Sequence, residues 1–162
     1  MQQVKSKKRV ADHGEVFTSE REVSAMLDLV KQETDRVDSK FLEPACGTGN
    51  FLAEILRRKM EVVVRRYKGN QHDFERNSIT AISSIYGVDI LRDNTIECRE
   101  RLFKIFDEIY IKIYKKKTKD KVRGTVKFIL QRNIVLGDAL SLETVDDIPK
   151  PIIFSEWSPV NG

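Results

Sequence analysis

The chain has 162 residues, 40% of them hydrophobic and 33% charged, with 29 Lys and Arg against 25 Asp and Glu, a net charge of +4. That length fits one domain or part of a larger one, and the apolar content suffices for a core and argues against disorder or a fibrous repeat. No apolar run approaches a membrane span, and no apolar segment follows the basic stretch Met1 to Val10 to make a secretory signal.

Residues 1–14 read as a flexible basic arm carrying Lys5, Lys7, Lys8 and Arg9. Ser19 with Glu22 three positions on is a capping-box pattern, and Val23, Met26, Leu27 and Val30 recur at helical spacing, which predicts a helix over about 20–34. Lys40-Phe41-Leu42-Glu43 reads as a buried strand running into Pro44 and a glycine turn. Asn50 can cap a helix that buries Phe51, Leu52, Ile55 and Leu56 and continues to Tyr67. A shorter helix over about 73–84 carries Phe74, Ile79 and Ile82, and residues 85–89 read as a second strand. The apolar stripe Ile96, Leu102, Phe103, Phe106, Ile109, Tyr110 and Ile113 predicts a long helix over about 92–117. Phe128-Ile129-Leu130 is helical or extended. Residues 133–136, running into Gly137-Asp138, form a third strand, and Pro151 to Phe154 a fourth.

Strands alternating with helices predict an α/β domain with a mostly parallel sheet over residues 15–162. A second basic cluster, Lys112 to Arg123, is either a solvated helix end or a phosphate-contact element. Cys46 and Cys98 form no CxxC, and His13 and His72 are too few for a His-based metal site. This usage suits a reducing cytoplasm and implies no metal centre.

Ligands of open parallel sheets bind beyond the carboxyl ends of the strands. After the first strand, Gly47 and Gly49 permit a tight turn and close approach of a ligand to the backbone. The following helix start offers free N–H groups, and Glu43 adds a carboxylate. Asp89 at the end of the second strand either accepts hydrogen bonds from vicinal ribose hydroxyls or caps the next helix. Asp138 either holds a purine amino group or caps a turn.

Together these residues resemble the amino-methyltransferases of DNA, in particular the adenine-N6 enzymes of restriction–modification systems. The stretch from Phe41 to Leu52, FLEPACGTGNFL, is similar to the first motif of that family. Gly14 to Ser19 resembles its N-terminal cofactor motif, Tyr86 to Ile90 its second and Gly137 to Leu140 its third. The resemblance implies a Rossmann-like methyltransferase fold of which the first four strands are present, in the order 3-2-1-4, and S-adenosylmethionine as cofactor. It assigns Phe17 and Thr18 to the methionine end, and Glu43, Ala45, Gly47 and Gly49 to the methionine and the turn. Asp89 would bind the ribose, Ile90 would lie against the adenine, and Asp138 with Ala139 would meet the adenine amino group. Cys46 is assigned to packing.

In the family, the catalytic motif after the fourth strand is a polar residue, two prolines and an aromatic. They hold the target amine and stack on a flipped base. Here Ser158-Pro159 fits the first half, but Val160 replaces the second proline and no Tyr or Phe follows. The expected function is therefore the cofactor-binding part of a DNA adenine-N6 methyltransferase that is inactive alone. DNA would be reached through a recognition domain or partner chain, with no membrane involved. Two alternatives stand beside it: a non-catalytic methyltransferase-like subunit that needs a completing chain, and a methyltransferase acting on cytosine N4 or a protein amide. A nicotinamide enzyme fits less well, lacking the third glycine and an acid about 20 residues on.

Overall fold

The structure is a computed structural model that describes Ser6, Lys7, Arg9 and residues 18–158. Helices α1 (Glu20–Asp28) and α2 (Lys31–Thr34) precede β1 (Phe41–Glu43). Then come α3 (Asn50–Tyr67), α4 (Gln71–Ser83), β2 (Ile85–Asp89), α5 (Arg92–Tyr114), a 3-10 turn (Lys115–Lys117), α6 (Asp120–Asn133), β3 (Ile134–Asp138) and β4 (Glu143–Thr144). Among the described residues no helix is long and apolar enough to cross a membrane.

Local chemistry accounts for most of these boundaries. The Ser19 hydroxyl accepts from Glu22 N–H while the Glu22 carboxylate accepts from Ser19 N–H, which opens α1 with a reciprocal cap. Asn70 Oδ1 accepts from the N–H groups of His72 and Asp73 and starts α4. The single helix expected over 20–34 is two. The chain breaks at Val30 (φ −119°, ψ 30°), which leaves Leu29 in solvent and lets Thr34 be fully buried. The long helix ends at Tyr114 rather than 117, because Lys115 adopts φ 49°. Phe128 to Leu130 are helical, as part of α6.

β1, β2 and β3 pair in parallel, Phe41 opposite Ile85 and Gly87 opposite Ile134. Side chains alternate between faces. Gly87 faces α3, where a Cβ would meet Leu52 Cδ1 at 2.9 Å, so Tyr86 and Val88 point to the opposite face. The helices share one apolar core that includes Leu52, Leu56, Met60, Phe74, Phe106 and Ile134.

The fourth strand departs from expectation. Residues 152–158 have no regular structure, and Pro151 makes a single antiparallel bridge to Glu143. The two-residue β4 instead pairs antiparallel with β3, giving the order β1-β2-β3-β4 and leaving β1 at an edge, in place of 3-2-1-4. Pro149 and Pro151 lack the N–H that a ladder needs. Ile152, Phe154 and Trp157 are partly buried by another route, while Ile153 is exposed. Ile152 fills the space beside Gly137, and Phe154 packs edge-on against Tyr86 at 5.4 Å. Tyr86 donates its hydroxyl proton to Ser155 O, Lys40 pairs with Glu156 at 2.8 Å, and Trp157 Nε1 donates to Asn133 Oδ1. The segment thus crosses the sheet from the carboxyl end of β3 to the amino ends of the strands.

Lys59 of α3 is fully buried. Its ammonium donates to Val37 O (3.1 Å), Ser39 O and Ser84 Oγ (2.6 Å), which ties α3 to the amino ends of β1 and β2. Burial lowers its pKa to about 7, against opposing fields from Asp38 and Glu33. The unfolded chain keeps this proton to about pH 10.4, so above pH 7 the unfolded state binds more protons and stability rises with pH. Urea unfolding at pH 7.0 and 8.5 is expected to show that rise, with a slope of up to about 1.4 kcal/mol per pH unit. Lys59→Met should flatten it. An equal slope in the variant would remove Lys59 as its source.

Candidate cofactor site

The turn between β1 and α3 is built on two residues in the left-handed region, Gly47 (φ 52°) and Gly49 (φ 83°). Two backbone bonds hold it, Cys46 N–H to Val88 O (2.9 Å) and Gly49 N–H to Cys46 O (2.8 Å). Gly49 also lies against α5, where a Cβ would meet Cys98 Sγ at 2.6 Å. Cys46 is buried against Gly87, and contact with Cys98, and then burial, push its thiol above its ordinary range. Gly49 is the N-cap of α3. Among the described residues no side chain caps this end, and its first turn holds no acid. Asn50, expected as the cap, is the first helical residue; its side chain donates to Thr18 O and accepts from Arg101. An 18-residue helix thus presents uncapped N–H groups to the glycine turn, a setting that favours an anionic group.

Asp89 is buried beside this turn. Its Oδ2 accepts from Gly47 N–H (2.8 Å), and its Oδ1 from Leu91 N–H (2.9 Å) and Asn94 Nδ2 (3.1 Å). A carboxylate has about four acceptor positions, so room remains for one more donor on Oδ2. Asp89 therefore fixes the turn and, through Leu91 N–H and the Asn94 side chain, the entry to α5; it does not cap that helix, whose N-cap is Leu91. Asn94 in turn accepts from Arg9, which also pairs with Asp93 at 2.6 Å. The basic arm is thereby joined at Arg9 to the start of α5.

The other residues singled out in the sequence divide by position. Thr18, through its bond from Asn50, stands beside the glycine turn. Half-buried Glu43 ends β1, and burial raises its pKa; Ala45 is exposed in the turn. Ile90 follows Asp89 and is 45% exposed, available to a planar ligand. Asp138 ends β3, and its Oδ1 accepts from Leu140 N–H, a turn cap with Ala139 inside it. Phe17 and Pro159 lie outside the described residues. Ser158 is not brought to the turn. Its neighbour Trp157 is bonded to Asn133, whose amide donates to Ile85 O at the start of β2, whereas Asp89 ends that strand. The two ends of β2 are about 13 Å apart. In this fold Ser158 has no cofactor turn beside it.

Sequence reasoning missed Asn94 and Arg101 and placed Arg9 only in a basic arm, although the three tie the arm and α5 to the turn. Asn94 lies five residues after Asp89 on the first turn of α5, and only that spacing could have suggested it. A separate cleft of about 210 Å³, lined by Asp28, Lys31, Arg58 and Arg65 among others, touches none of the residues above. In comparisons with known proteins, no family model, no curated protein and no solved structure matches the chain.

Proposed function

We propose that the chain is the S-adenosylmethionine-binding part of a DNA adenine-N6 methyltransferase of the restriction–modification type. The observation that carries this reading is the glycine turn with uncapped α3 N–H groups on one side and the Asp89 carboxylate on the other. The first suits the methionine carboxylate of the cofactor, and the free acceptor position on Asp89 suits a ribose hydroxyl. Ile90 offers an apolar surface to the adenine ring, with Asp138 and Ala139 at the next strand end. The bound cofactor would supply a methyl group on a sulfonium. The residues of this chain would bind and orient it.

The second reading is a methyltransferase-like subunit that binds cofactor without chemistry until a partner chain joins it. The position of Trp157 at the amino ends of the strands favours it, because Ser158 then lies away from the turn. Either reading expects cofactor binding without methyl transfer to DNA by this chain alone.

Calorimetry on the purified chain tests the shared claim. S-adenosylmethionine should bind one to one, and NAD should give no heat. Asp89→Ala should weaken binding by about 1–3 kcal/mol, the cost of losing a charged hydrogen-bond partner. In that variant a cofactor analogue without ribose hydroxyls should lose little further affinity. A folded chain that ignores S-adenosylmethionine, or that binds NAD equally well, would sink the proposal.

A further inference from the structure

The pole of the molecule opposite the glycine turn carries a concentration of charge that the cofactor reading does not use. α3 starts at the glycine turn, and its 18 residues carry the chain about 27 Å away from it. Its last turn and cap supply Arg65, Arg66 and Lys68, all exposed. Tyr114 at the end of α5 donates its hydroxyl proton to Lys68 O (3.0 Å), so the two helix ends meet. Directly after Tyr114 come Lys115, Lys116 and Lys117, all exposed in one 3-10 turn.

This lysine turn is held in place. Gln71 Nε2 donates to Lys117 O (2.7 Å), Thr118 Oγ1 to Lys115 O (3.0 Å) and Lys119 N–H to the Tyr110 hydroxyl oxygen (3.1 Å). Beneath it, buried Glu75 accepts from Tyr110, Gln71 and Lys119. Lys115 also adopts φ 49°, which residues with a Cβ rarely do. A lysine run that is merely solvated needs neither a buried network nor such a backbone conformation. The carboxylates set into this network are occupied: Glu75 pairs with Lys119, and Asp107 and Asp120 with Arg123. Among the described residues Lys115, Lys116, Lys117, Lys68, Arg65 and Arg66 form no ion pair. Exposed ammonium groups on three adjacent residues, with Arg65, Arg66 and Lys68 on the adjoining helix end, suit the successive phosphates of an extended polyanion.

We propose that this pole is a sequence-independent contact surface for the phosphate backbone of a nucleic acid, separate from the cofactor turn. The inference stands on the charge and geometry of the pole and does not require the cofactor reading. The test is fluorescence anisotropy of a mixed-sequence DNA duplex with the full chain, without cofactor, from 50 to 200 mM salt. Replacing Lys115, Lys116 and Lys117 together by Gln should reduce the slope of log affinity against log salt by about 2–3 and weaken binding at 50 mM at least about tenfold. The triple Arg replacement should retain binding. Arg21→Gln, Lys31→Gln and Lys127→Gln combined make the same change in net charge elsewhere and should leave the slope nearly unchanged. Absence of DNA binding at 50 mM would overturn the proposal. So would an equal loss in the distant variant, loss in the Arg variant, or displacement by polyglutamate as effective as by DNA, which would indicate an acidic protein partner. Cofactor calorimetry on the Gln variant keeps the two readings apart, since its affinity should not change.

Discussion

Gly49→Ala is expected to destabilise the protein by about 3 kcal/mol or more and to abolish cofactor binding with it. Two independent costs add. At φ 83° an L residue is in the left-handed region, worth about 1–2 kcal/mol. A methyl group there would also stand 2.6 Å from Cys98 Sγ and 3.6 Å from Cys98 Cα, so a side chain of α5 must yield within a closed core, typically for about 1–3 kcal/mol. Cys98→Ala separates the two. Alone it removes a buried sulfur and leaves a small cavity. In the Gly49→Ala background it should restore the steric part and leave the backbone part. Urea unfolding of the four proteins measures the coupling, expected to be favourable by about 1 kcal/mol or more. Strict additivity would mean that Gly49 is required for its backbone angle alone.

Glu75→Leu is expected to cost about 2–4 kcal/mol by leaving the buried Tyr110 hydroxyl without its acceptor and the Gln71 amide with Lys117 O in place of two strong acceptors. Lys119 is 55% exposed, so its pairing with Glu75 is screened and contributes little to that sum. Burial raises the pKa of Glu75, but hydrogen bonds from Lys119, Tyr110 and Gln71 outweigh it and hold the carboxyl below its ordinary value of 4.5. A lowered folded pKa gives stability that is present above pH 4.5 and lost as pH falls through the folded value. Glu75→Gln, which cannot ionise, should therefore be less stable than wild type at pH 7, and the gap should close in acid. A gap that persists at low pH would assign the effect to packing.

The parts of this fold legible in the sequence were those that local chemistry dictates. The capping box at Ser19, the strand before Pro44, the apolar periodicity of α3 and the strand from Ile85 to Asp89 all appear with bounds close to expectation, although the first strand is not buried as expected: it is an edge strand with Leu42 56% exposed. The glycine turn was legible because Gly47 and Gly49 take angles that other residues avoid. What failed depends on tertiary competition. Pro151 to Phe154 has the apolar content of a strand, yet Gly137 and Tyr86 offer Ile152 and Phe154 partial burial without a ladder. The break at Val30 lies within an unbroken helical pattern. Lys59 was invisible because its burial rests on two carbonyls and a hydroxyl supplied by residues 37, 39 and 84. The attachment of Arg9 to Asp93 joins residues 84 positions apart and leaves no local signature.

The most direct test of the cofactor reading is an amide-resolved NMR titration of the isotopically labelled chain with S-adenosylmethionine. The expected result is saturable shifts confined to the strand ends, at Gly47 to Leu52, Asp89 to Leu91 and Asp138 to Leu140, with the amides of Lys115 to Lys117 unmoved. Shifts absent from the glycine turn, or centred on the cleft beside Arg58 and Arg65, would contradict it.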